Sequence, residues 1–293
     1  MRGLIVRALS GFYYVENGDG EIFECKARGV FRKAGIHPLV GDWVEFDVAD
    51  QRGTVTEILE RKNFMNRPPV ANIDKLIIVS SVADPKPNLY VIDKITCFAK
   101  RKKTEPVVLF SKTDLGSCES YVEIYRKAGF ESFGFSSVTG ENTDKILDLF
   151  KDSVCCLTGN SGVGKSSLLN FLSPELELAT AEISTALGRG RHTTRDVSLY
   201  KIGNGFIADT PGFSSMDFEN SELILKNDLP DCFPEFEPFI QACKFANNCS
   251  HRTDKGCAVR EAVENGIIPT SRYESYLAMY DEVKDIKEYE LPK

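Results

Sequence analysis

The sequence predicts a multidomain protein of three parts: a small N-terminal β-barrel, a central α/β domain on a parallel sheet, and a small, mostly helical, metal-binding C-terminal region. Three observations lead there. Short β-branched and aromatic runs separated by turn residues fill positions 1–68. Continuous apolar runs then alternate with helical patterns over 69–221. From 222 to 293 strand patterns stop and cysteines cluster with a histidine.

In the first part the strands are GLIVRAL, GFYYVEN, EIFECKARG and DWVEFDVA, separated by NGDGE at 17–21, HPLVGD at 37–42 and DQRG at 50–53. Short strands at this spacing suggest a five-stranded barrel of the OB type, an architecture that often binds oligonucleotides. A purely structural barrel fits the composition equally well, because fold does not fix function. Arg67-Pro68-Pro69 marks the junction to the next part, since a double proline breaks regular elements.

The central part opens with NIDKLIIVSSVADP, the continuous apolar run of a strand buried on both faces. YVIDKITCFAKRKK has helical spacing and a basic end, as a helix C-terminus favours. EPVVLFSKTDL, ESFGFSS, VCCLTG and GFIADTPG read as further strands with loops, and SYVEIYRKAGF, NTDKILDLFKD and KSSLLNFL as helices. Asn142 or Thr143 is the expected cap of the second of these helices. Such alternation predicts a parallel sheet covered by helices. In the third part LPDCFPEFEPF is irregular, whereas REAVENG and SRYESYLAMYDEVKDIKEY read as helices. It is too poor in apolar residues to predict a self-sufficient core.

The chain has 293 residues, 42% hydrophobic and 27% charged, which is ordinary for a soluble globular protein. No apolar run predicts a membrane span, and MRGLIVRALSGFYYV lacks the pattern of a signal peptide, so a cytoplasmic location is expected. A net charge of −7 argues against a nonspecific nucleic-acid coat but leaves room for a local basic patch. The nine cysteines are odd in number and unevenly spaced, which argues against a disulfide framework.

Gly159-Asn160-Ser161-Gly162-Val163-Gly164-Lys165-Ser166 fits the phosphate-loop pattern in full, between a strand and a helix, with Ser167 next. The glycines let backbone N–H groups turn toward a β-phosphate, and the helix N-terminus adds to that field. Lys165 supplies a cation for β/γ oxygens, and the Ser166 hydroxyl can ligate Mg²⁺. Downstream, Asp209-Thr210-Pro211-Gly212 ends a strand in the DxxG pattern of GTPases: Asp209 would hold Mg²⁺ through water, and the Gly212 N–H would meet a γ-phosphate. Between them lies GRGRHTTRD, residues 188–196, a ligand-ordered loop in this reading. Thr193 or Thr194 would complete the Mg²⁺ shell, and the assignment adopted for the ion is Ser166 with Thr194.

Ser111-Lys112-Thr113-Asp114 follows a strand and matches the guanine reader N-K-x-D with Ser for Asn. The Asp114 carboxylate would accept two N–H bonds from guanine, a pattern adenine does not offer, and the Lys112 stem would pack over the base. Ser111 replaces the Asn that braces the phosphate loop, which predicts weaker affinity. Ser136-Ser137-Val138-Thr139-Gly140 resembles the loop that touches guanine through its backbone. The elements therefore run base reader, second base loop, phosphate loop, threonine switch, DxxG: a cyclic shift of the usual order. Circular permutation explains it, because every element still ends a strand on the ligand-binding edge of a parallel sheet.

A permuted GTPase domain between a barrel and a Cys/His region resembles the RsgA (YjeQ/YloQ) family of ribosome-assembly GTPases. RPPVANID, GNSGVGKSSLLN, GRGRHTTR, DTPGF and the Cys/His cluster carry the resemblance, which spans essentially the whole chain. It implies an OB-fold, a circularly permuted P-loop GTPase and a zinc module, with GTP hydrolysis to GDP stimulated by the small (30S) ribosomal subunit late in its maturation.

The position after DxxG, often a water-orienting glutamine, is Phe213. His192, in the switch loop, is the best candidate for orienting the attacking water, and the resemblance supports that role. Contact with rRNA phosphate is the alternative role for this side chain. Cys243, Cys249, His251 and Cys257 offer three thiolates and an imidazole, a Cys₃His set suited to one structural Zn²⁺. Against the family pattern, one extra residue within KFANN should bulge without removing a ligand. Basic stretches at Arg28 to Lys33, Lys100 to Lys103 and Arg189 to Arg195 favour contact with 16S rRNA, largely through phosphates. The chain is expected to act as a monomer. A second reading is a GTP-regulated RNA-binding module with little hydrolysis. An ATPase is opposed by Lys112 and Asp114.

Overall fold

The computed structural model describes residues 1–49, 52–66, 69–172, 197–209 and 223–286. The N-terminal strands are β1 (Arg2–Leu9), β2 (Phe12–Asn17), β3 (Ile22–Ala27), β4 (Trp43–Ala49) and β5 (Arg52–Ile58), with a short helix α1 (Gly29–Lys33). They pair in the order β1-β2-β3-β5-β4, and β4 returns to β1 through Arg2↔Glu45, Gly3↔Val44 and Leu4↔Trp43. Period-2 alternation turns Val15, Cys25, Val44, Phe46 and Val55 inward, where all are fully buried. The patterning missed β5 and α1. The RGTVTEI strand carries a glycine, a glutamate and two threonines, and pairing with β4 on one side and β3 on the other compensates for that weak propensity.

At the junction, β6 (Phe64–Asn66) and β7 (Pro69–Ala71) pair antiparallel, so Pro69 opens a strand. Pro69 is tolerated because it is the first residue of its strand. The buried Asp42 carboxylate grips Arg61 through two bonds of 2.7 and 2.8 Å, and the Asn63 amide donates to the Ile73 carbonyl at 2.8 Å.

The central strands are β8 (Lys75–Ser81), β9 (Glu105–Ser111), β10 (Glu131–Gly134), β11 (Val154–Thr158), β12 (Ser198–Ile202) and β13 (Gly205–Asp209). The sheet order is β10-β9-β8-β11-β13-β12, parallel throughout except for β12, which also bridges to β1 at Arg7↔Ser198. β11 is central. A chain that began there would wind outward through β13 and then through β8, β9 and β10, so the permuted order lies in the connectivity and leaves the sheet intact. Helices α2 (Leu89–Arg101) and α3 (Glu119–Lys127) cover one face, burying Ile92, Phe98, Val122 and Tyr125 against Leu76, Ile78, Val108 and Phe110. Helices α4 (Thr143–Leu149) and α5 (Lys165–Leu172) cover the other, burying Ile146, Leu149 and Leu168 against Ile77, Val79, Val107 and Leu109. Asn142 occupies the N-cap position of α4, yet its side chain donates to the Gly134 carbonyl at 2.7 Å instead of capping.

Among its described residues, the C-terminal region holds α6 (Glu237–Ile240), α7 (Ala258–Glu264) and α8 (Thr270–Val283), with three 3₁₀ turns. It has its own core of Phe233, Phe236, Val259, Ile268, Tyr276 and Met279, completed by Cys97 from α2. Among the described residues, no helix is long and apolar enough to cross a membrane.

Candidate nucleotide site and metal centre

The loops after β9, β10 and β11 all emerge at the C-terminal edge of the parallel sheet, where such sheets bind ligands. After Thr158 the phosphate loop turns through Gly159 at φ +145°, Gly162 at +79° and Gly164 at +94°. A Cβ on Gly159 would stand 2.1 Å from the Val79 carbonyl oxygen, so only glycine fits beside β8. Val163 buries its side chain in the core and anchors the loop. Lys165 opens α5, and its ammonium donates to the carbonyls of Gly159 at 2.6 Å and Asn160 at 2.7 Å. Burial lowers its pKa below the ordinary lysine value. Asn160, Gly164 and Ser166 are half-buried, whereas Ser161, Gly162 and Ser167 are exposed.

Ser111 ends β9 fully covered. Its hydroxyl lies 2.5 Å from the Val163 carbonyl of the phosphate loop and 3.1 Å from the Ser80 carbonyl. The bracing expected to weaken with Ser in place of Asn is thus supplied by the shorter side chain. Lys112 sits in the left-handed region at φ 62°, and its ammonium donates to the Asp84 carbonyl at 2.6 Å. Asp114 follows on a 3₁₀ turn, Thr113–Leu115, with an exposed carboxylate. Its Oδ1 accepts the Ser136 hydroxyl at 2.6 Å, and that hydroxyl accepts the Val138 and Thr139 N–H groups, each at 3.2 Å. One oxygen therefore shapes the second base loop and orients the carboxylate. Ser137 is half-buried beside it. Thr113 donates to Glu141 at 2.5 Å and joins the two loops.

Asp209 is the last residue of β13, opposite Ser198 of β12, and β13 runs beside β11. His192, Thr193, Thr194 and Gly212 lie outside the described residues.

Cys243, Cys249, His251 and Cys257 are all buried, and their ligand atoms lie within 4.8 Å of one another. His251 Nδ1 stands 3.6 Å from Cys243 Sγ and 3.5 Å from Cys257 Sγ, and those two sulfurs are 3.9 Å apart. One tetrahedral ion with bonds of about 2.3 Å to sulfur and about 2.05 Å to nitrogen would set these spacings at roughly 3.6 and 3.8 Å. The four residues thus fit a single metal ion bound through Nδ1. Burial lowers the His251 pKa, which keeps the imidazole neutral, as a ligand must be. Burial pushes the Cys249 thiol up to about 12, so a cation is what would make a thiolate of it at neutral pH. The segment between Cys243 and Cys249 makes a 3₁₀ turn at Ala246–Asn248 with Ala246 at φ 41°, and both cysteines stay in the cluster. Tyr273 and Tyr276 donate to the His251 and Ser250 carbonyls, each at 2.7 Å, and tie the ligand loop to α8.

The family model described as RsgA GTPase matches residues 58–219, and the one described as RsgA N-terminal domain matches residues 2–55. The chain belongs to the RsgA family. The protein named small ribosomal subunit biogenesis GTPase RsgA in Geobacillus sp. (strain WCH70) is 44% identical over 97% of this chain and 98% of its own length. The namesake in Streptococcus pneumoniae serotype 4 (strain ATCC BAA-334 / TIGR4) is 43% identical over 98% and 96%. Two solved structures, YloQ, described as a circularly permuted GTPase, and YjeQ from Thermotoga maritima, superpose with TM-scores of 0.81 each. They are 33% and 32% identical, covering 100% and 98% of this chain and 96% and 99% of theirs. The RsgA fold expected from the motif order is therefore the fold observed.

Sequence reasoning missed Asp84, Glu141, Tyr273 and Tyr276. Each acts through a backbone carbonyl or on a neighbouring loop, and no residue-type pattern signals such a contact.

Proposed function

We propose that this RsgA-family chain hydrolyses GTP to GDP and phosphate, stimulated by the small (30S) ribosomal subunit, during late maturation of that subunit. The observation that carries the reading is the tie between loops: Ser111 binds the Val163 carbonyl of the phosphate loop while Ser136 orients the Asp114 carboxylate. A base reader and a phosphate cradle joined this way suit a guanine nucleotide. The names of the relatives supply the subunit as partner.

In this reading residues 1–68 form the OB-type domain, 69–221 the permuted GTPase domain and 222–293 the metal-binding domain. Asp114 and Lys112 read and cover guanine, the 136–140 loop contacts it through its backbone, and residues 159–167 hold the phosphates. Ser166 and Thr194, with Asp209 through a water, would hold Mg²⁺, which would neutralise phosphate charge when bound. The Gly212 N–H meets the γ-phosphate, and His192 orients the attacking water. Cys243, Cys249, His251 and Cys257 would hold one structural Zn²⁺. The protein works in the cytoplasm as a monomer and contacts 16S rRNA. The test is phosphate release from GTP with and without purified small subunits, for the wild type and His192→Ala. The variant should bind GTP normally and lose stimulated turnover. Absence of stimulation in the wild type, with GTP bound tightly, would overturn the reading.

A further inference from the structure

Helix α2 touches two places that sequence keeps far apart. At its leading end, the short loop after β8 lies against the nucleotide site. The Asp84 carbonyl in that loop receives the Lys112 ammonium at 2.6 Å, and Pro85 Cδ lies 3.8 Å from the position of a Cβ on Gly162 of the phosphate loop. Val82 N donates to the Ser111 carbonyl at 3.1 Å, and Asn88 caps the helix through the Val91 N–H. The loop therefore has little freedom relative to the helix that follows.

The body of the same helix is fastened to the C-terminal region by a buried ionic cluster. Arg272 of α8 is fully buried. It donates to Asp93 at 2.7 Å, to Thr96 at 3.1 Å and to Glu235 at 2.7 Å. Tyr125 of α3 donates to the same Asp93 oxygen at 3.0 Å, and Phe233 lies 4.7 Å under the guanidinium. Asp93 Oδ2 is a fully buried acceptor that no donor meets. Outside this cluster, Glu282 of α8 binds Tyr90 and Lys94 on the first turns of α2, the latter at 3.0 Å. Charge-assisted bonds in a dry interior hold their geometry tightly, because a displaced partner leaves a buried charge unpaired.

We propose that Arg272 is a positioning residue for guanine recognition: through Asp93 it fixes α2, and α2 fixes the loop whose Asp84 carbonyl holds the base-covering Lys112. The C-terminal region thereby helps set guanine-nucleotide affinity. This rests on the reading of Lys112 and Asp114 as the base reader.

The test is a double-mutant cycle on the full chain, read as the dissociation constant of a fluorescent GDP. Arg272→Met, an apolar side chain of similar length, should weaken GDP binding about 5-fold, inside the range that residues along a coupling route produce. In a Lys112→Ala background the same change should have no further effect, whereas a merely structural role would add in full. Glu282→Ala, on the surface, should act in the same direction by about 2-fold. Unchanged affinity in a folded Arg272→Met protein, or full additivity with Lys112→Ala, overturns the proposal. If Arg272→Met does not fold, Glu282→Ala decides, and wild-type affinity there overturns it. A wild type that binds ADP as tightly as GDP would instead overturn the underlying base-reader reading.

Discussion

Ser111 shows how a single hydroxyl does the work expected of a longer amide. At the end of β9 it is buried and 2.5 Å from the Val163 carbonyl, so it needs no reach to brace the phosphate loop. Ser111→Ala leaves that carbonyl without this donor. Net costs for such losses are about 1–3 kcal/mol, so GDP affinity should fall at least about 5-fold. Titration of a fluorescent GDP checks this, and unchanged affinity would show that the loop holds its shape without the hydroxyl. Residue-level legibility followed the same division. Lys165, Asp114 and the cysteine cluster were readable because their chemistry demands those residue types at those spacings. The Asp84 carbonyl that receives Lys112 was not, because any residue carries a carbonyl and only the fold aims it.

Elements were legible where local propensity and tertiary demand agreed. The strands β8, β9 and β11 are unbroken apolar runs buried on both faces, and their pattern survives any error in the boundaries. Strands β5 and β12 went unnoticed. RGTVTEI and SLYKI mix polar and apolar residues, and each is a strand because a neighbour's ladder completes it. The phosphate loop is the element with the sharpest test. Gly159 combines φ +145° with a would-be Cβ 2.1 Å from the Val79 carbonyl, while Gly129 has φ +84° and nothing within 4 Å. Gly129→Ala should therefore cost only backbone strain, about 1–2 kcal/mol. Gly159→Ala must in addition push the loop away from β8, which should lower the melting temperature further and abolish GDP binding. Thermal unfolding and GDP titration of the two variants compare them directly. Equal melting temperatures would mean that the loop is free to move off β8.

At the scale of the whole molecule, the permutation puts the β13 end next to the C-terminal region in sequence, and α2 packs against that region in space. Cys97 of α2 belongs to the C-terminal core together with Phe233, Tyr276 and the metal-cluster cysteines. That core is small, and the ligand loop is tied to α8 through the His251 and Ser250 carbonyls, which Tyr273 and Tyr276 hold. Without an ion in the cluster, three buried thiols crowd an imidazole with only weak sulfur hydrogen bonds between them, where a metal ion would supply four coordinate bonds. Chelation, or Cys257→Ser, should therefore loosen residues 223–286 as a unit and extend to α2, whose Cys97 and Asp93 lose their partners in that region. The barrel is held by its own strand ladder around Val15, Val44, Phe46 and Val55, although that core runs on into the sheet face that α2 covers, and it should keep its protection. Hydrogen exchange followed by mass spectrometry, with and without chelator, checks all three statements in one experiment. Faster exchange confined to 223–286 with α2 unchanged would mean that the sheet and α3 hold α2 without the Arg272 cluster. Uniform loosening of the barrel as well would mean that the three regions unfold as one cooperative body.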